Sequence, residues 1–361
     1  MAGVAFEIAK DELRTYRFVP SEAVLGQAVA EGEVTLRIDR FGLTTNNITY
    51  AVLGEALSYW EFFPAEEGWG RLPVWGFGEV VDSGNDQIET GARFYGYYPA
   101  SSYLTVQAHA NSAGFVDVAE HRRSLPSAYN QYRLTATDPA YDPATENEQI
   151  LLTPLFFTSY LLADFLLDRE LFGAETVILS SASSKTAYGL AFLLSIADPR
   201  PHLVGLTSPR NAEFARSLGV YDEVLGYGEV EQLPRDGKAV YADMAGSGEV
   251  RAAVHRHFAD DLAHSALVGA THWEEERSGA ELPGPEPEFF FAPTWLSKRA
   301  EDWGPEGLQQ RYAQAWKRFV GPLGDWMQVI EDSGEEAVQR VYLDLLEGRA
   351  DPRQGHVLGL S

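Results

Sequence analysis

The sequence predicts an α/β protein in two parts, a compact β-rich domain followed by a doubly wound parallel sheet with crossover helices. Three observations carry that reading. From about Val34 to Val106, short β-rich runs alternate with glycine turns: "GEVTLRIDRFGL", "GRLPVWGFGEVVDSG" and "GARFYGYYPASSYLTV". From Glu175 onward, apolar runs alternate with helical patterns: "ETVILSS", "TAYGLAFLLSIAD", "PHLVGLTS", "PRNAEFARSLG", "KAVYADMAG", "VRAAVHRHFADDL" and "HSALVGATH". That alternation is the pattern of parallel strands joined by helices. Finally, 361 residues with 45% hydrophobic content can fill two cores rather than one small stapled unit.

In chain order, "MAGVAFEIAKDEL" lacks the basic start and apolar core of a secretion signal, so a cytoplasmic protein is expected. The β-rich domain takes residues 1–149. Within it, residues 117–149 turn polar, with "RRSLPSAYNQYRLTATDPAYDPATENEQ" reading as a long surface excursion. "ILLTPLFFTSYLLADFLL", Ile150 to Leu167, approaches membrane-spanning length but contains Pro154 and Asp164, so a buried inter-domain helix is expected instead. Residues 150–330 form the second domain. Glu288 to Ala292 adds a strand, Pro305 to Val320 and Glu335 to Leu346 add helices, and "GHVLGL" near the end adds a last strand. No internal repeat stands out.

Composition excludes several classes. The 53 acidic and 28 basic residues leave a formal charge of −25, which repels nucleic acid and anionic lipid, so neither is expected as a partner. The absence of cysteine removes disulfides, thiolate nucleophiles and cysteine-containing zinc sites. His255 and His257 come nearest to a metal pair, but two residues apart on a helix they point in different directions. Surface histidines are expected there, and no metal.

The stretch "VILSSASSKTAYGLAFLL", Val177 to Leu194, reads as strand, tight turn and helix. Its polar middle, Ser180, Ser181, Ser183, Ser184, Lys185 and Thr186, lies where a helix N-terminus exposes unpaired N–H groups, a place that suits an anion. It is not a P-loop, because the opening glycine would have to be residue 179, which is Leu179. Lys185 either neutralises a pyrophosphate or reaches a substrate oxygen, or is simply a solvated lysine on the first helical turn. In a doubly wound sheet the end of the second strand meets the adenosine ribose. Here that end reads "GLTSPRNAEFARSLG", where Ser208 and Arg210 suit a 2′-phosphate and hence NADP(H) rather than NAD. Ser208 could equally cap a helix that has Pro209 first and Gly219 beyond its end.

The order of parts resembles the medium-chain dehydrogenase/reductase superfamily. "FGLTTNNITYA" resembles that superfamily's early turn beside the nicotinamide, "GFGEVVDSG" its glycine-rich strand pair, "GARFYGYY" its "GDRV" turn, and "TSPRNAEFARSLGVYDEV" its NADP-type second strand and helix. The resemblance implies an N-terminal GroES-like β-barrel domain plus a Rossmann doubly wound parallel-sheet domain binding cofactor between them, with residues 331–361 returning to the first domain. "SSASSKTA", in place of the glycine fingerprint, looks most like an uncharacterised bacterial branch known only as a domain of unknown function. Ser and Ala are small enough to let backbone approach phosphate, and the hydroxyls of Ser181, Ser183 and Thr186 supply donors.

With no cysteine and no histidine in the early β region, the chain looks like the zinc-independent quinone, enone and enoyl reductases. Hydride transfer builds negative charge on a substrate oxygen, which a proton donor or hydrogen bonds must meet. By analogy the candidates are Asn46, Asn47 and Tyr50 from the early turn, Lys185 from the nucleotide loop, and Thr271 and His272 from "GATHWE". Thr271 also counts among the cofactor contacts. Tyr50 is the first choice of donor, against a packing role. His272 stands as an acid or a strand-end histidine, and Asn46 as a carboxamide or substrate anchor or a holder of the turn.

Tyr59, Trp60, Phe62, Phe63, Trp69 and Trp75 line an apolar substrate slot or belong to a core or dimer contact. "YNQY", Tyr129 to Tyr132, covers a cleft or is an ordered surface loop. "FFFAPTWLSKRAEDWG", from Phe289, resembles the superfamily's dimer strand, implying a homodimer. Lys298 or Arg299 then approaches the cofactor or joins a surface salt network. The expected activity is NADPH-dependent, zinc-independent reduction of a small hydrophobic enone, quinone or ketone. The alternatives are a non-catalytic NADP(H) sensor or scaffold, and an isomerase or lyase without net turnover. No serine occupies a G-x-S-x-G elbow, which weighs against a hydrolase.

Overall fold

A computed structural model describes residues 3–21, 29–235, 237–268 and 282–360. The chain divides into two compact units, Met1–Leu151 with Met327–Ser361, and Leu152–Trp326. The first opens with β1 (Val4–Ala9), β2 (Tyr16–Pro20), β3 (Glu33–Leu43), helix α1 (Thr45–Val52), β4 (Trp69–Arg71), β5 (Pro73–Ser83), β6 (Arg93–Pro99), β7 (Tyr103–Asn111), β8 (Gly114–Asp117) and β9 (Gln131–Leu134). Helix α2 (Glu146–Asp168) continues into the second unit.

Six strands close a barrel in the order β3-β5-β6-β9-β8-β7, with β7 pairing back to β3 so that Val34 faces Val106 and Leu36 faces Leu104. Closure removes free sheet edges. Along β3, Val34, Leu36 and Ile38 are fully buried, while Arg37 between them reaches Glu79. The glycine-rich runs of the sequence have a steric cause. A Cβ at Gly76 would lie 2.4 Å from the Arg40 carbonyl oxygen, and one at Gly96 would lie 2.4 Å from the Tyr132 ring. A separate antiparallel sheet, β2-β1-β4, sets Phe6 opposite Phe18.

The polar stretch 117–149 is more than a surface excursion. It contains β9, which fills the gap between β6 and β8 and completes the barrel. Tyr132 is buried, stacked on Phe115 at 4.6 Å, with its hydroxyl donating to the Tyr97 carbonyl at 2.8 Å. The polarity misleads because the stretch's charges are spent internally. Arg122 pairs with Asp117 at 2.9 Å with both side chains buried, and Arg93 donates to Glu146 at 3.0 Å.

The second unit contains β10 (Thr176–Leu179), α3 (Lys185–Ser195), β11 (His202–Thr207), α4 (Ala212–Ser217), β12 (Glu223–Gly226), β13 (Ala239–Asp243), α5 (Gly248–Phe258), β14 (Leu262–Leu267), β15 (Glu288–Phe289), α6 (Ala292–Val320) and α7 (Leu323–Trp326). The strands are all parallel, in the order β12-β11-β10-β13-β14-β15. Numbered within this sheet the order is 3-2-1-4-5-6, the doubly wound order that reverses beside the first strand. Val177, Ile178 and Leu179 are fully buried, as a strand covered on both faces requires.

Among the described helices, α2 is long and apolar enough to cross a membrane by length and composition, yet 56% of its apolar window is buried within the protein. Phe156 stacks on Phe319 at 4.2 Å, and Asp164 accepts from Trp295 at 2.6 Å and from Arg299. Arg299 is buried and also bonds Asp168 and Asp302, while Lys298 bonds Asp302 at 2.6 Å. Both basic residues are thus held in an ion network that is partly interior rather than superficial.

The chain ends with β16 (Gln328–Ser333), α8 (Glu335–Leu346) and β17 (Gln354–Gly359), all in the first unit. β16 and β17 are parallel, α8 is their crossover, and β17 adds to the Phe41–Leu43 end of β3. Val338, Val341, Tyr342 and Leu345 recur at helical spacing along α8 and are buried in the barrel core.

Candidate functional site

In the second unit, the carboxyl ends of β10 and β13 flank the point where strand order reverses, the place where doubly wound sheets hold ligands. The turn from β10 to α3 gathers Ser181, Ser183, Ser184, Lys185 and Thr186 within six residues. Ser181 has φ +52, a left-handed conformation that usually favours glycine. Its carbonyl accepts from the Ser184 N–H at 2.7 Å, closing the turn. Ser184 is the N-cap of α3, its hydroxyl accepting from the Ala187 N–H at 3.3 Å. Lys185 and Thr186 follow on the first helical turn, both half-buried.

The next strand joins the same place. Ser183 Oγ lies 3.5 Å from Thr207 Oγ1 at the end of β11, so the loop touches the strand that leads to Ser208 and Arg210. Ser208 stands at the N-cap of a short 3-10 turn with Pro209 behind it, but its hydroxyl makes no capping bond. The loop also crosses β11 closely. Ala182 is fully buried, and a Cβ on Gly205 would come within 2.8 Å of the Ala182 Cβ. Small side chains, a left-handed first residue and a helix N-terminus are what a bound pyrophosphate requires of such a turn, so these residues fit a dinucleotide. Thr271 and His272 lie outside the described residues.

Sequence reasoning missed the partner that holds this loop. Asp243, the last residue of β13, is fully buried, and its Oδ1 accepts from Ser180 Oγ at 2.8 Å. Burial pushes its carboxyl pKa up, against hydrogen bonds from Ser180 and Gly246 and the charge of Arg251. An acid closing an apolar strand, "AVYAD", was the available signal. His255 corrects the expectation of surface histidines. It is fully buried, its Nδ1–H donating to the Pro283 carbonyl and its Nε2 accepting from Ser265, both at 2.9 Å. His257 is half-buried against the Leu233 carbonyl. The two do not pair, and among the described residues no group of three metal-binding side chains occurs.

In the first unit, Tyr50 on α1 is buried in a nest of aromatic rings. Tyr59 lies 4.7 Å away, Tyr97 lies 5.6 Å away and Tyr129 lies 6.3 Å away by ring centroids. Trp75 Nε1–H donates to the Tyr50 hydroxyl at 3.1 Å, and the Tyr59 and Tyr129 hydroxyls stand 3.4 Å apart. Burial pushes the Tyr50 phenol well above its ordinary pKa. The neighbouring asparagines divide the work: Asn47 holds the turn, its Oδ1 accepting from the Thr44 N–H at 2.7 Å and its Nδ2 donating to the Pro73 carbonyl at 2.9 Å. Asn46 is half-buried beside Tyr50.

The expected aromatic cluster holds in part, Tyr59, Phe62, Phe63 and Trp75 sharing the phenol nest. Trp60 belongs to the barrel core, Trp69 packs under Arg17 at 4.1 Å, and Phe62 and Phe63 join the phenol nest. Tyr129 joins it too, from the "YNQY" run. A cavity of about 600 Å³ is lined by Phe62 and Phe63 of that expected slot, with Ser101, Asp117 and Arg122, and includes none of the predicted catalytic or cofactor-binding residues.

The profile of the family described as "Protein of unknown function (DUF2855)" matches residues 41–351. No curated protein matches the chain. Among solved structures, CurA of Vibrio vulnificus in complex with NADPH superposes with a TM-score of 0.62 at 14% identity, over 96% of this chain and 94% of that one. Escherichia coli K-12 YhdH with bound NADPH gives 0.58 at 15% identity, over 99% and 100%. A mutant enoyl thioester reductase of Candida tropicalis gives 0.59 at 11% identity, over 99% and 100%. At these identities the likeness shows the fold alone, a closed β-barrel unit and a parallel-sheet unit.

Proposed function

The chain belongs to the DUF2855 family, and we propose that it is an NADPH-dependent, zinc-independent oxidoreductase that reduces a small enone, quinone or ketone. One observation carries the reading. A hydroxyl-lined loop with a left-handed first residue sits at the carboxyl end of the central strand of a 3-2-1-4-5-6 sheet, in contact with the strand that presents Ser208 and Arg210. Two structures of the same fold, CurA and YhdH, carry NADPH, which supports the choice of nucleotide.

In this reading Ser181, Ser183, Ser184 and Thr186 bind the pyrophosphate through hydroxyls and backbone N–H groups, with Lys185 adding charge. Ser208 and Arg210 select the 2′-phosphate. The bound dinucleotide supplies the hydride. Tyr50 donates the proton: burial keeps its phenol protonated at neutral pH, and its hydroxyl accepts from Trp75 in a hydrogen-bonded group shared with Asn46 and Tyr129. Asn46 orients that oxygen. Phe289 and Phe291, both about half exposed around edge strand β15, support a homodimer built on that edge.

Titrating the protein with NADPH and with NADH, following quenching of its eight tryptophans, tests the reading. Arg210→Ala is expected to weaken NADPH by about 10- to 100-fold and to leave NADH unchanged. If neither nucleotide binds, the reading falls. Binding without NADPH oxidation by any added enone or quinone would favour a sensor, and rearrangement of a substrate without net oxidation an isomerase.

A further inference from the structure

The nucleotide loop lacks the glycines that usually let such a turn adopt its shape, so something else must hold it. Among the described residues, a buried acid, Asp243, faces it from the end of β13. Asp243 Oδ1 accepts from Ser180 Oγ at 2.8 Å and from the Gly246 N–H at 3.0 Å, and Ser180 Oγ in turn accepts from the Ala245 N–H at 2.9 Å. One carboxylate oxygen and one hydroxyl therefore tie the exit of β10 to the turn that follows β13. The Ser180 N–H also donates to the Ala242 carbonyl at 3.1 Å, continuing the ladder to that point. The other oxygen, Oδ2, is buried without a hydrogen bond and faces Arg251 Nε at 3.7 Å. Arg251 is itself buried on α5, whose N-cap Ser247 lies one residue beyond Gly246.

These two turns flank the crevice where strand order reverses. A ligand entering there must find both already in place, or its binding energy is spent on ordering them. We propose that Asp243 is a positioning residue for the dinucleotide, clamping the β10 and β13 turns through Ser180 so that the glycine-poor loop is shaped before the cofactor arrives. The proposal rests on the dinucleotide reading for its function but not for its geometry.

The full-length chain and its Asp243→Ala, Asp243→Asn and Ser180→Ala variants provide the test, each read in two ways. Hydrogen exchange without nucleotide reports the clamp, and NADPH titration reports its use. Asp243→Ala is expected to speed exchange of the Ala245 and Gly246 amides by about 10-fold or more and to weaken NADPH by about 10-fold. Asp243→Asn keeps an acceptor oxygen and is expected to restore both to within about threefold of the native chain. That rescue would separate positioning from general destabilisation.

If a folded Asp243→Ala variant keeps native exchange and native NADPH affinity, or if Asn is as damaging as Ala, the proposal is overturned. Should Asp243→Ala fail to fold, Ser180→Ala removes the bridging hydroxyl alone and is held to the same two expectations. If the native chain binds no NADPH, the oxidoreductase reading and the positioning role both fall, and exchange still decides whether the clamp exists.

Discussion

The two units both bury phenols and carboxylates, but among the described residues the buried imidazoles, His255 and His264, lie in the parallel-sheet unit. The barrel unit hides phenols, Tyr50, Tyr97, Tyr129 and Tyr132, and burial drives all of them upward, further from neutrality. These phenols therefore stay protonated near pH 7. The parallel-sheet unit hides phenols too, Tyr188 and Tyr241, but adds buried imidazoles, beside the carboxylate of Asp243. Burial raises Asp243 and lowers His255 and His264, moving these groups toward one another on the pH scale. The buried imidazoles, whose ordinary pKa lies between about 5 and 8, thus set the parallel-sheet unit apart.

The largest expected effect tests the phenol nest as a packing unit. Tyr97 is fully buried and touches Tyr50, Phe62, Phe63, Trp75 and Tyr129. Tyr97→Ala should cost about 3–5 kcal/mol in denaturant unfolding, as truncation of a large buried ring does, while leaving NADPH affinity near native. Equal loss of nucleotide affinity would show that the units do not act separately.

Tyr50→Phe comes next and separates chemistry from packing in the same nest. It leaves Trp75 Nε1 without its acceptor, so a stability loss of about 1–2 kcal/mol is expected. In the proposed reaction the turnover rate should fall about 100-fold or more with NADPH binding unchanged. A variant with native turnover would reassign the proton donor.

The pH dependence of stability should belong to the sheet unit. His255 and His264 have folded pKa values below the ordinary histidine value, so the folded state binds their protons less readily than the unfolded chain. Their contribution is complete above the unfolded value of about 6.5 and is lost as pH falls through the folded values, with a slope of at most about 1.4 kcal/mol per pH unit for each. Unfolding titrations from pH 7.5 down to 5 should show that slope, and His255→Gln should reduce it. Asp243 has the opposite sign: its raised pKa favours the protonated fold, so its contribution is lost as pH rises through the folded value.

The smallest effect lies in the hydroxyl-rich loop after β10. Ser181 holds a left-handed φ of +52, which glycine adopts without steric cost. Ser181→Gly should therefore raise stability by about 0.5–1 kcal/mol in urea unfolding. If Ser181 binds phosphate through its hydroxyl, the same variant should bind NADPH more weakly, so that the two readouts move in opposite directions.

Sequence by itself determined the architecture. The β-rich run from Val34, the strand–helix alternation from Glu175, helix α8 and the final strand were all legible, because burying one face of a strand or helix imposes a period on apolar residues. The position of the hydroxyl-rich loop was legible for the same reason, as the junction between a strand period and a helix period. Tertiary structure decided what periodicity does not encode. It turned the polar run around Tyr132 into a barrel strand, because Arg122 and Asp117 neutralise one another inside. It buried His255 between a carbonyl and a hydroxyl, and it brought Asp243 to Ser180 across 63 positions of chain. In each case a polar side chain is stabilised in the interior by a partner distant in sequence or invisible to its local pattern, and only the folded chain selects that partner.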